Sequence, residues 1–202
     1  MTFASPWAVP PPTTHARRYN RVAMVLHWII AALIVLQACL GWYMNEILGD
    51  HSPARPPVVG LHISVGLTIL MLVIVRIGWR LTNPPPPLPA GLAPWERILS
   101  GTVHTLFYIL MLALPLTGWA VVSAGKHPLL FWGVPWPKIP GLTGLSRDQH
   151  HLLSHTHVFI LMWILVISWF LHVGGALKHQ FDGNPVLWRM IPFLKPRGWR
   201  RP

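Results

Sequence analysis

The chain has 202 residues, 52 % of them hydrophobic and only 10 % charged, with a mean hydropathy of +0.46. Water-soluble domains carry roughly a quarter charged residues, so this composition excludes an ordinary soluble domain and points to lipid as the solvent. The net charge of +11, from 16 Lys plus Arg against 5 Asp plus Glu, does not indicate nucleic acid, because the basic residues stand at the ends of apolar runs and not in a patch interleaved with aromatics.

Residues 1–21 form a Pro-rich, basic stretch without an apolar core of its own. They are expected to be an N-terminal arm and no cleavable signal peptide, so that the first apolar run serves as the insertion signal. The single Cys39 lies inside that run, which leaves no pair for a disulfide framework or a Cys-x-x-Cys-His motif.

Four windows, 22–44, 58–79, 101–124 and 157–177, each supply the ~20 apolar residues that a helix needs to cross about 30 Å of hydrocarbon. Arg76 is the one charge among them and sits near a span end, where it can snorkel. The expected fold is therefore all-α, an integral membrane bundle of four transmembrane helices over residues 22–177, with a basic tail at 178–202.

The connections read as 45–57, 80–100 and 125–156. The second carries Pro84, Pro85, Pro86, Pro87 and Pro89 and is expected to be an extended strap. Trp28, Trp42, Trp79, Trp95, Trp119, Trp132, Trp136 and Trp188 lie near span ends and read as interfacial anchors. Pro115 is expected to kink the third span.

With four spans, both tails and the second connection share one side. That side holds Arg17, Arg18, Arg21, Arg76, Arg80, Arg97, Lys178, Arg189, Lys195, Arg197, Arg200 and Arg201, and the other holds only Arg55, Lys126, Lys138 and Arg147. This bias places both termini in the cytoplasm.

Twelve histidines are present, and their depth matters more than their number. Ionisable groups in hydrocarbon are costly and tend to face the bundle interior with a partner. His27 lies about a turn and a half into the first span and His172 as far from the end of the fourth, so these two can face each other on the terminal side. His62 begins the second span and His157 the fourth, which makes a second level on the opposite side.

Fifteen steps separate His157 from His172, a rise of about 22 Å with an angular offset of about 60°. His155 in place of His157 gives an offset of about 100° and remains an alternative. His104, at the start of the third span, is a third histidine at the terminal level; it replaces one of the two assigned there or donates a hydrogen bond. His15, His51, His127, His150, His151 and His179 read as solvated surface residues. Imidazoles paired from facing helices at two depths suit bis-histidine haem iron, where two filled axial positions favour electron transfer over oxygen binding.

These residues resemble the bacterial cytochrome b561 family, which includes b-type subunits of membrane dehydrogenases and hydrogenases. The resemblance covers almost the whole chain. It rests on residues 18–21 with Leu26-His27-Trp28, on Gly60-Leu61-His62 with Arg76-Ile77-Gly78-Trp79-Arg80, on His104-Thr105-Leu106-Phe107-Tyr108 with Leu114-Pro115-Leu116-Thr117-Gly118-Trp119, and on Leu171-His172-Val173.

It implies two haem b groups, held by His27 with His172 on the cytoplasmic side and by His62 with a helix-four histidine on the periplasmic side. It further implies ubiquinone as acceptor or donor and an inner-membrane location. The family spacing of the helix-four histidines is fourteen, and fourteen before His172 is Val158; a one-residue π-bulge would bring His157 into that place. Arg17, Arg18 and Arg21 read as topology signals alone, with pairing to haem propionates as the alternative.

Three functions are consistent with this reading. One is a quinone-linked oxidoreductase, with superoxide as donor in members similar to this chain. Another is an electron-transfer subunit docked to a separate dehydrogenase through residues 125–156. The third, from a different class, is a haem-free histidine-rich transporter. No catalytic residue is assigned.

Overall fold

A computed structural model describes residues 18–49, 51–88, 92–182, 186–191 and 193–194. Most of the expected N-terminal arm, including His15 and Arg17, lies outside them, as do Asp50, Pro89 and the end of the basic tail from Lys195 onward.

Four helices are long and apolar enough to cross a membrane, Arg21–Ile47, Arg55–Thr82, Pro94–Ala124 and Arg147–Phe181, and each contains one of the expected windows. The first begins as α1, Arg21–Trp42, where the Asn20 carbonyl oxygen Oδ1 accepts from the Ala23 amide at 2.8 Å, and it ends in a π turn, Tyr43–Ile47. α2, Arg55–Thr82, has prolines in its first turn, where their missing N–H groups have no helical partner to lose. α3, Pro94–Ala124, also starts on a proline, and the Glu96 carboxylate accepts from the Ala93 amide at 2.9 Å. α3 runs helical through Pro115.

The fourth long helix has three parts: α4, Arg147–His155, a π segment, Thr156–Leu161, and α5, Met162–Phe181. Its start lies inside the stretch 125–156 that reads as the third connection. Ser146 and Gln149 form a reciprocal capping box, with Ser146 Oγ accepting from the Gln149 amide at 3.2 Å and Gln149 Oε1 accepting from the Ser146 amide at 2.9 Å, so the helix starts ten residues before the apolar window. His150 and His151 are accordingly helical.

The same connection contains an unexpected hairpin, β1 (Leu130–Phe131) paired antiparallel with β2 (Val134–Pro135). Trp132 and Gly133 at its tip both have positive φ, 50° and 85°, as a two-residue primed turn requires. A tryptophan pays strain there. It is held by α2, because the Trp132 amide donates to Ser64 Oγ at 3.0 Å and its indole Nε1 to Thr68 Oγ1 at 3.2 Å. The hairpin therefore folds back along α2 beside His62.

α1 packs on α2, α2 on α3, and α3 on α5 and the π segment. The buried centre is small: Ile30, Val65, Ile69, Val73 and Met111. Large apolar side chains such as Ile74, Val75, Ile109, Trp163, Ile167 and Phe170 point outward. That inverted distribution suits a lipid solvent, in which helices associate through close packing and internal hydrogen bonds. Hydroxyls inside the bundle are satisfied by carbonyls one turn back: Ser64 by Gly60, Thr68 by Ser64, and Ser168 by Ile164.

The described residues nearest the two termini meet at one end of the bundle. The Tyr19 amide donates to the Arg189 carbonyl at 3.3 Å, Trp28 Nε1 to the Met190 carbonyl at 3.0 Å, and Arg189 Nη2 to the Pro87 carbonyl at 2.7 Å. Trp188, expected in an interfacial belt, is instead only 3 % exposed, because a 3-10 turn, Leu187–Arg189, folds it beneath Arg18.

Candidate functional site

The bundle brings four of the expected histidines into two pairs. His27 of α1 faces His172 of α5, with ring centroids 6.2 Å apart and planes inclined at 58°. His62 of α2 faces His157 of the π segment, with centroids 6.3 Å apart and planes at 90°. The first pair lies toward the end where the termini meet and the second beside the hairpin. A metal bonded to one nitrogen of each of two opposed imidazoles, roughly 2 Å from each, sets the ring centroids about 6 Å apart.

The second pair is built most fully. Thr117 Oγ1 lies 2.7 Å from the Ala113 carbonyl and 3.0 Å from His157 Nδ1. A hydroxyl has one proton; given to the carbonyl, it leaves the oxygen to accept Nδ1–H from His157. His157 Nε2 then carries the lone pair that a metal requires, and the ring is oriented in the way that outer partners orient metal-binding histidines. A Cβ added at Gly118 would lie 3.0 Å from His157 Cε1, so only glycine leaves the ring its place. Across the pair, Gln37 Nε2 donates to the His62 carbonyl at 2.8 Å, while His62 Nδ1 is buried without a hydrogen-bond partner. A buried, unpaired imidazole nitrogen fits a site designed around a further group.

At the first pair, His172 is also approached edge-on by His104, at 5.2 Å, and by Phe107, at 5.4 Å. His104 Nδ1 is 2.6 Å from the Ser100 carbonyl one turn earlier, which commits that nitrogen as a donor. Arg76 lies alongside, with Nη2 3.5 Å from His27 Nδ1 and Nη1 3.4 Å from the Ala23 carbonyl.

His155 does not turn toward His62. Its ring stacks on Phe159 at 4.9 Å and on His151 at 6.3 Å, on the exposed side of the helix. The one-residue displacement of His157 from the family spacing coincides with the π segment, Thr156–Leu161, which begins one residue before it. His51, His127 and His151 are exposed as expected, whereas His179 is half-buried with Nε2 4.0 Å from Glu96 Oε1. Sequence reasoning missed Thr117 and Gly118 as parts of the site; an adjacent Thr-Gly inside an apolar helix was the available signal.

The donor set, two opposed imidazole pairs in an apolar four-helix bundle, fits b-type haem iron, the cofactor held by coordination alone. Comparison with known proteins agrees. The profile of the prokaryotic cytochrome b561 family matches residues 18–193. The chain is 29 % identical to "Cytochrome b561 homolog 2" of Escherichia coli, over 89 % of this chain and 94 % of that protein. It is 32 % identical to "Cytochrome b562" of Cereibacter sphaeroides, over 89 % and 96 %. It is 26 % identical to "Probable superoxide oxidase CybB" of Yersinia pestis, over 90 % and 99 %. The chain belongs to the prokaryotic cytochrome b561 family of membrane electron-transfer proteins.

Proposed function

We propose that this cytochrome carries single electrons between a quinone and a redox partner at the opposite membrane face, through two b haems held by His27 with His172 and by His62 with His157. The carrying observation is the pair of imidazole separations, 6.2 and 6.3 Å, at opposite ends of one bundle. When bound, haem supplies one-electron iron chemistry, and two histidines per iron leave no open position for oxygen.

The protein's part is to fix the ligands and exclude water. Thr117 holds the His157 ring, Gly118 leaves room for it, and Gln37 fixes the backbone of His62. Phe107 and His104 close the side of His172. The excess of Lys and Arg on the side of the termini supports an inner-membrane orientation with both termini cytoplasmic.

Ubiquinone as acceptor and superoxide as donor form the specific reading; for the donor, the name of the Yersinia relative gives support. The test is to supply superoxide and ubiquinone to the purified chain in liposomes and follow quinol formation. Quinol formed by the isolated chain supports this reading. Activity that appears only after a soluble dehydrogenase is added supports the second reading, an electron-transfer subunit. That reading is favoured by the exposed apolar tip of the hairpin, where Trp132 is 57 % and Val134 64 % exposed.

A further inference from the structure

At the end of the bundle where the termini meet, a cavity of about 320 Å³ lies beneath the proline strap, between the start of α1, the end of α2 and α3. Among the described residues, three guanidinium groups line it, Arg18, Arg76 and Arg80, and no carboxylate does. The chain has 5 acidic residues in all; the two on this side, Glu96 and Asp182, both bind Lys178, at 2.9 and 2.8 Å.

The partners these arginines have are weak and neutral. Arg80 Nη1 is 3.4 Å from the Tyr108 hydroxyl, and its guanidinium lies 5.3 Å from that ring. Arg76 makes the two long contacts given above, and Arg18 reaches Met24 Sδ at 3.9 Å. Arg76 and Arg80 are partly covered and Arg18 is exposed; three clustered cations repel one another, and the N–H donors of the two covered ones are poorly satisfied. The strap adds no donors, since Pro84, Pro85, Pro86 and Pro87 lack N–H groups.

A second cavity, of about 410 Å³, shares Arg80, Pro84, Pro85 and Tyr108 with the first and continues past Ile77 and Leu81. Leu81 is 81 % exposed. The charged chamber thus adjoins a second one that Ile77, Leu81 and the prolines make largely apolar.

We infer that the joined cavities bind one anionic phospholipid, with its phosphate among Arg18, Arg76 and Arg80 and an acyl chain along Ile77 and Leu81. The chemistry selects this ligand twice. Three guanidiniums without an acid require an oxyanion, which a neutral quinone ring does not supply, and the apolar continuation requires an attached hydrocarbon. Haem propionates carry the same oxyanion chemistry from another source and lack the long chain.

The experiment uses the haem-loaded full chain, delipidated and placed in nanodiscs of phosphatidylcholine alone or mixed with phosphatidylglycerol. Native mass spectrometry after release counts the retained lipid. The expected result is one phosphatidylglycerol per chain, held in preference to phosphatidylcholine. The preference should fall by about fivefold in Arg80→Gln, with haem content unchanged, and by about fivefold more when Arg18→Gln is added. Arg18→Lys and Arg80→Lys are the folded, charge-retaining comparators and keep it.

Equal retention of the two lipids overturns the inference, as does a preference that survives both glutamine changes. Lipid retention unaltered while one haem is lost or its potential moves also overturns it, since the cluster then serves haem carboxylates. If the glutamine variants fail to fold, the comparison of the two lipids on the unaltered chain decides alone.

Discussion

Thr117 Oγ1 and His157 Nδ1 lie 3.0 Å apart, joining the C-terminal part of α3 to the π segment of the fourth long helix. This contact selects the histidine tautomer. Thr117→Ser keeps the hydroxyl and should keep both haems. Thr117→Val removes the acceptor while preserving the shape, and should weaken haem retention at His62 and His157 by about 10- to 100-fold, the usual cost of losing such a partner. Haem release to apo-myoglobin measures it, and equal release from the two variants would contradict the assignment.

The glycines beside the second pair differ in how much room they have. A Cβ at Gly118 meets His157 Cε1 at 3.0 Å, whereas a Cβ at Gly41 meets His62 Cε1 at an ordinary 3.5 Å. The His157 ring is tied to Thr117 and has little freedom to swing away. Gly118→Ala should therefore cost about 1–3 kcal/mol through overpacking, while Gly41→Ala should be tolerated. Thermal unfolding of the two variants in one detergent, followed with the haem absorbance of the second pair, checks the contrast. Similar behaviour would mean the ring is not confined.

The π segment, Thr156–Leu161, holds one residue beyond an α-helical register. Deleting Val158 converts the segment to α-helix and leaves His157 fourteen residues before His172, the spacing expected of the family. Both haems should then be retained. Inserting one alanine after Leu165, in the regular helix α5, instead places His157 sixteen residues before His172, rotates it by about 100° relative to His172 and should abolish the haem of the second pair. Redox spectra of the two variants settle the point; identical haem contents would contradict the register argument.

The long helices and the paired histidines were legible in the sequence because hydropathy fixes the spans and depth fixes which histidines share a level. Even the displacement at His157 carried its own explanation, since a spacing of fifteen where fourteen is expected predicts an inserted residue, and a π segment stands there. What escaped notice depends on contacts between distant parts. No Asn-Gly or Asp-Gly signal announces the hairpin; its Trp132-Gly133 tip relies on hydrogen bonds that Trp132 donates to Ser64 and Thr68 of α2.

The start of the fourth long helix at Arg147 was missed for another reason. Residues 147–155 are polar, so hydropathy is silent, although Ser146 and Gln149 stand at capping-box spacing. The role of Thr117 was equally hidden, since only the packing of α3 on the π segment brings it to His157.

The pairing of His27 with His172, and of His62 with His157, is tested most directly by counting haem in single histidine variants. The pyridine haemochrome of the purified chain should give two haem b per polypeptide, and one each for His27→Ala, His172→Ala, His62→Ala and His157→Ala. Redox titration should show the first two variants lacking the same haem and the last two lacking the other. A chain with a single haem, or His27→Ala and His172→Ala losing different haems, would contradict the account.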